Sequence, residues 1–236
     1  MKKREWHKVQ SHPELCVGQY VVPNFVSNSV ILEPNSRNPV IVSPGEALLP
    51  CSPLHEPASS IHLHIILPNG YHYMGAEAWQ QAYPNHTLYA SRAAIAMLKT
   101  KVKDADAIVP LEERQPPLPK GYSVEFPPGH RGGDVWLVKE HEQGDTWITC
   151  DSVLNYDRLS NQPIARLLQR LLGAAPGLKI SKVIKFFILT DRHRFKEWAL
   201  NKLAQRGIST LIPSHGEVAQ SPELTADVTT VLKRSL

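Results

Sequence analysis

Two short apolar runs separated by a polar turn constrain this chain more than any other feature. Phe126-Pro127-Pro128-Gly129-His130-Arg131-Gly132-Gly133-Asp134-Val135-Trp136-Leu137-Val138 is followed, across the polar stretch from Glu140 to Gly144, by Asp145-Thr146-Trp147-Ile148-Thr149-Cys150-Asp151. β-Branched and aromatic runs bounded by Gly, Pro and polar turn residues read as a hairpin. A Pro-Gly turn holds His130 at the mouth of the first strand, and Asp151 closes the second. The two therefore lie on neighbouring strand ends, where imidazole and carboxylate are ordinary ligands of zinc, iron or manganese.

The chain is long enough, at 236 residues with 42% hydrophobic content, to bury a sizeable core as one domain spanning 1–236. Its net charge of +4 is a diffuse surplus, part of it in Lys2, Lys3, Arg4 and Lys8, and predicts no nucleic-acid partner. Cys16, Cys51 and Cys150 are widely spaced with no CxxC pair, which argues for a reducing compartment and against a disulfide framework. No apolar run follows the basic N-terminus, and none reaches the ~18 to 20 residues of a membrane helix. The expectation is a cytoplasmic protein with no membrane partner.

In chain order, a polar arm precedes three β-prone runs, Gln19–Val22, Ser29–Leu32 and Val40–Val42, which read as an antiparallel meander. Glu46 to Ser60 reads as loop, and Ile61 to Leu67 as a strongly apolar strand stopped by Pro68-Asn69-Gly70. Apolar residues then recur at helical spacing from Tyr71 until Pro84. Leu88–Ala90 reads as a strand, and Ser91 caps a helix running to about Lys101. The charged, proline-rich stretch from Lys103 to Lys120 reads as a surface crossing.

After the hairpin, Ile164, Leu167, Leu168, Leu171 and Leu172 form the stripe of an amphipathic helix ended by Gly173. Lys185–Thr190 reads as a strand, and Asp191 as the cap of a helix carrying Phe195, Trp198 and Leu203. The strand Thr210-Leu211-Ile212 leads into Pro213-Ser214-His215-Gly216, and a terminal helix follows Pro222.

The order of these motifs resembles the metallo-β-lactamase superfamily. Its third metal motif is a Pro-Gly-His turn opening a strand, its fourth an aspartate closing the next strand, and its last a Pro-x-His-Gly turn. The resemblance implies an α+β fold, a four-layer αββα sandwich of two mixed sheets with helices outside. It also implies metal ligands at His72, His130, Asp151 and His215.

The departures are as informative as the matches. Aligning the family's His-x-His-x-Asp-His motif on Gly75-Ala76 puts its last histidine at His72 but leaves Tyr71, Asn69 and Leu67 in place of the aspartate and two histidines. Ser43 stands where the family usually has an acid. The resemblance therefore implies one divalent ion, zinc, iron or manganese, rather than two. Tyr71 and Tyr73, flanking His72, and His193, at a helix start, are candidates for supporting hydrogen bonds behind the ion.

Other signals point to plain structure. His62 and His64 read as same-face neighbours in one strand, and Trp136 with Trp147 as cross-strand packing. No phosphate-binding Gly loop or GxSxG elbow is present. Two readings stay open: a hydrolase with a mononuclear metal site acting on an ester, thioester or similar small molecule, and a non-catalytic protein of the same fold that uses the cleft only for ligand binding or packing.

Overall fold

Short β-branched runs in the first half of the chain build a seven-stranded sheet in which spatial order follows chain order: β1 (Glu5–Val9), β2 (His12–Val22), β3 (Phe25–Leu32), β4 (Val40–Val42), β5 (Leu63–Ile66), β6 (His86–Ala90) and β7 (Val109–Pro110). This computed structural model describes residues 4–9, 12–22 and 25–236; Lys2 and Lys3 lie outside the described residues. The chain divides into two units, Met1–Val22 with Val26–Lys120 and Pro23–Phe25 with Gly121–Leu236.

In the first unit, β1 pairs with β2 and β3 with β4 antiparallel, whereas β4, β5, β6 and β7 run parallel. Parallel neighbours need crossovers. Helices α1 (Ala76–Ala82) and α2 (Arg92–Leu98) supply two of them. Ser91 caps α2 as its residue type requires, its hydroxyl accepting from the Ala94 amide at 3.1 Å. Trp79 of α1 is fully buried, stacks on Tyr83 and donates its indole N–H to the Gly45 carbonyl at 3.1 Å. Ile41, Ile65 and Leu88 share this core.

Two expectations are corrected here. The polar arm is instead β1 and most of β2, because Leu15, Cys16 and Val17 are buried and Trp6 meets Trp79 edge-on at 6.4 Å. Helix α1 starts at Ala76 rather than Tyr71, since the Asn69 side chain ties the amides of Tyr71 and His72 into a turn.

The second unit contains β8 (Tyr122–Glu125), β9 (Trp136–Lys139), β10 (Asp145–Ile148), β11 (Leu154–Tyr156), α3 (Pro163–Leu172), β12 (Gly177–Lys179), α4 (Arg192–Gln205), β13 (Ile208–Ile212), β14 (Ala219–Gln220) and α5 (Leu224–Ser235). Its five-stranded sheet has the order β14-β13-β10-β9-β8, with β11 and β12 forming a separate ladder. The hairpin legible in the sequence is the antiparallel pair β9 and β10, with Leu137 opposite Ile148.

Trp136 and Trp147 pack across it at 5.1 Å between ring centroids, and Phe195 and Trp198 of α4 close on Trp136. Asp191 caps α4 by accepting from the Arg194 amide. Lys185–Thr190 is not a strand. Ile184–Ile188 forms a single wide helical turn, and the residues after it tie to the Pro-Gly-His turn through a lone bridge between Leu189 and His130 and through the Ile188 carbonyl, which accepts from the Arg131 amide at 2.9 Å. Among the described residues no helix is long and apolar enough to cross a membrane.

Candidate functional site

Strand register in the second unit accounts for its polar cluster. β10 and β13 run parallel with Ile148 opposite Ile212, and the ladder continues as the Thr149 amide donates to the Ile212 carbonyl at 2.9 Å. Three residues beyond each member of that pair stand Asp151 and His215. Their side chains meet, His215 Nε2 lying 3.2 Å from Asp151 Oδ1, and each is about one-sixth exposed. The Pro-x-His-Gly turn is pinned where the Asn155 amide donates to the His215 carbonyl. Gly216 has φ +98°, and a Cβ there would overlap the Asn155 carbonyl.

The Pro-Gly-His turn reaches the same end of this sheet. Gly129, at φ +71°, lets its carbonyl accept from the amides of Thr190 and Asp191, in a space that a Cβ would take from the Asp191 backbone. The neighbouring His130 side chain is fully enclosed. Its Nε2 faces the Asp151 carbonyl oxygen at 3.4 Å and Asp134 Oδ1 at 3.6 Å. With two acceptors before it, Nε2 carries the proton, which leaves Nδ1 as a buried lone pair with no hydrogen-bond partner.

Asp134 is fully enclosed as well; its Oδ2 accepts from Ser152 Oγ at 2.6 Å and from Trp136 Nε1 at 3.0 Å. This buried carboxylate lies beside His130, a neighbour that the sequence reading missed. The i, i+4 spacing of His130 and Asp134 was its only signal. Cys150 was missed too. Its thiol lies within 4.8 Å of an Asp151 carboxylate oxygen, and burial, then the charges of Asp134 and Asp151, push its pKa well above the usual range.

His193 is not part of this cluster. Its side chain is 80% exposed on α4 and pairs with Glu197 one turn on at 3.2 Å. A helix-start position left it facing outward rather than toward the strand ends.

In the first unit, His72 follows the Asn69 turn, and its Nδ1 is hydrogen-bonded to Ser43 Oγ at 2.8 Å. Ser43 adopts φ +54°, unusual for a residue with a side chain, and its carbonyl accepts from Ser29 Oγ at 2.6 Å. Ser43 thus holds the His72 ring through Nδ1. Any ion His72 takes must be bound through Nε2. Tyr71 and Tyr73 both turn their rings toward Lys101 Nζ, at 5.4 and 5.2 Å, while that amine donates to the Gly70 carbonyl.

His62 and His64 stack at 4.6 Å between centroids, with His64 Nδ1 3.0 Å from the Tyr89 hydroxyl and His62 Nε2 2.8 Å from Thr87 Oγ1. Burial first, then the positive charges of His62 and Arg114, lower His64 to about 4. Such a ring is a neutral packing element.

No protein-family profile and no curated protein matches the sequence. Solved structures do match the fold. The flavodiiron protein of Giardia intestinalis is 11% identical with a TM-score of 0.67, over 99% of this chain and 60% of that one. The metal-soaked Flv1 flavodiiron core of Synechocystis sp. PCC6803 is 14% identical with a TM-score of 0.63, over 97% and 60%. A metallo-β-lactamase from Pontibacter korlensis is 12% identical with a TM-score of 0.59, over 97% and 98%. The chain therefore spans about 60% of the flavodiiron proteins and nearly all of the lactamase.

Proposed function

From a chain with the metallo-β-lactamase fold, we propose a metal-dependent hydrolase with one divalent ion, acting on an ester, thioester or similar small molecule. The observation that carries this reading is the 3.2 Å approach of His215 Nε2 and Asp151 Oδ1 at the ends of parallel strands. A carboxylate and an imidazole so placed are a compatible pair of donors for zinc, iron or manganese. The enclosed Nδ1 of His130 has no hydrogen-bond partner among the described residues, and a buried lone pair without a donor calls for an ion or an ordered water beside it.

In this reading Asp151 and His215 hold the ion, and His130, fixed by Asp134, offers a further ligand or orients the attacking water. His72 joins the ligand set on the strength of motif order in the sequence. When bound, the ion supplies Lewis acidity, polarising an acyl carbonyl and lowering the pKa of water toward ~7. Asp151 and His215 would hold such an ion, and Asp134, beside His130 Nε2, favours the proton on that nitrogen. With Leu67 and Asn69 where two histidines stand in the family, the chain lacks the donors for a second ion.

We read residues 1–236 as one domain of this fold, in keeping with near-complete mutual coverage of a lactamase chain. A cytoplasmic setting accords with three free cysteines. The alternative is a non-catalytic protein of the same fold in which Asp151 and His215 serve each other as an ion pair.

The test is metal analysis of protein purified without chelator and after loading with zinc, iron or manganese, alongside turnover of a nitrophenyl ester and an acyl thioester. About one equivalent with turnover lost in Asp151→Asn and His215→Ala supports the proposal. No metal under any loading supports the alternative. A His72→Ala variant with undiminished metal content removes His72 from the ligand set.

A further inference from the structure

Helix α3 carries its stripe the wrong way round. Amphipathic surface helices turn their apolar residues to the core. Here Ala165 and Gln169 are buried, while Ile164, Leu167, Leu168 and Leu171 are 74%, 58%, 42% and 58% exposed. The buried Gln169, in the second half of the helix, ties this face inward by accepting from the amide of Ser160, which precedes the helix, at 2.7 Å. The helix is an excursion between β11 and β12, whose pairing from Leu154–Lys179 to Tyr156–Gly177 closes its base. Five residues after β12, the turn at Ile184–Ile188 exposes Phe186 and Phe187, at 58% and 64%.

The charge of the same segment is one-sided. Residues 158–190 contain Arg158, Arg166, Arg170, Lys179, Lys182 and Lys185 and no acidic residue, which exceeds the net charge of the whole chain, +4. None of these six makes an ion pair among the described residues. Lys185 and Arg192 instead lie over the exposed Phe186 ring, at 5.5 and 5.4 Å from its centroid.

We propose that α3 and the Phe186–Phe187 turn dock the protein peripherally on an anionic phospholipid surface. Leucine, isoleucine and phenylalanine side chains set among cations with no acid between them suit the boundary between headgroups and acyl chains. A second copy of this chain is disfavoured, since its own basic segment would meet this one. The inference stands apart from the metal site.

The test uses the full chain and vesicle flotation, with phosphatidylcholine alone and with about one-third phosphatidylserine added. The protein is expected to float with the anionic vesicles only. Leu167→Gln with Leu171→Gln abolishes flotation while leaving far-UV circular dichroism unchanged. Arg170→Gln and Lys182→Gln each weaken binding about fivefold and more at low salt than at high. Absence of flotation at low salt overturns the proposal, as does equal binding by the leucine and basic-residue variants. So does a wild-type dimer that the leucine variant dissolves while vesicles bind neither form.

Discussion

Asp151 and His215 lie at equal distance beyond the paired Ile148 and Ile212, and this shared offset brings carboxylate and imidazole to 3.2 Å. The arrangement is a consequence of parallel pairing between β10 and β13. Anything that shifts that register by one residue turns one of the two side chains to the opposite face.

The aromatic cluster behind the site should dominate the stability of the second unit. Trp136 is fully buried, in contact with Trp147, Phe195 and Trp198, and its indole N–H donates to Asp134. Trp136→Ala is expected to cost about 3–5 kcal/mol in urea denaturation. A loss below about 1 kcal/mol contradicts this packing.

Gly129 and Gly173 both have positive φ, at +71° and +62°, but a Cβ would overlap the Asp191 backbone only at Gly129. Gly173→Ala should therefore cost about 1 kcal/mol, the backbone term alone. Gly129→Ala should cost clearly more, read as the larger fall in melting temperature. Equal effects would show that the tie between Gly129 and residues 190–191 is weak.

His64 should make stability depend on pH. The folded state holds it near 4, whereas an unfolded histidine titrates near ~6.5. As pH falls from about 6.5 toward 4, the unfolded chain takes up a proton that the folded chain refuses, so stability declines; below about 4 both forms are protonated and the loss grows no further. Relative to His64→Gln, the wild type should lose about 2 kcal/mol more between pH 7.5 and pH 4.5. Parallel pH profiles would remove His64 from this role.

The hairpin was legible because apolar runs and a polar turn define it locally, and the caps Ser91 and Asp191 because capping needs one residue type at one position. What escaped is what depends on distant partners. Ser43 could be seen to replace an acid, but its bond to His72 across 29 positions was not visible. Lys185–Thr190 looked like a strand because a short apolar run has no period to separate strand from helix. The stripe of α3 was evident, yet which face meets solvent is set by Gln169 and Ser160 rather than by the stripe.

Asp134 Oδ1 lies 3.6 Å from His130 Nε2. In Asp134→Asn one oxygen still accepts from Trp136 and Ser152, while the new amide places a donor before the His130 N–H. Metal affinity should fall about 10- to 100-fold with little change in melting temperature. An unchanged affinity would leave Asp134 with a structural role only.

The most direct measurement is the metal content of wild type beside Asp151→Asn and His215→Ala, by elemental analysis after loading with zinc, iron or manganese and removal of excess. The account predicts about one equivalent in wild type and near none in either variant. Wild-type protein that retains no metal, or variants that retain as much as wild type, would contradict it.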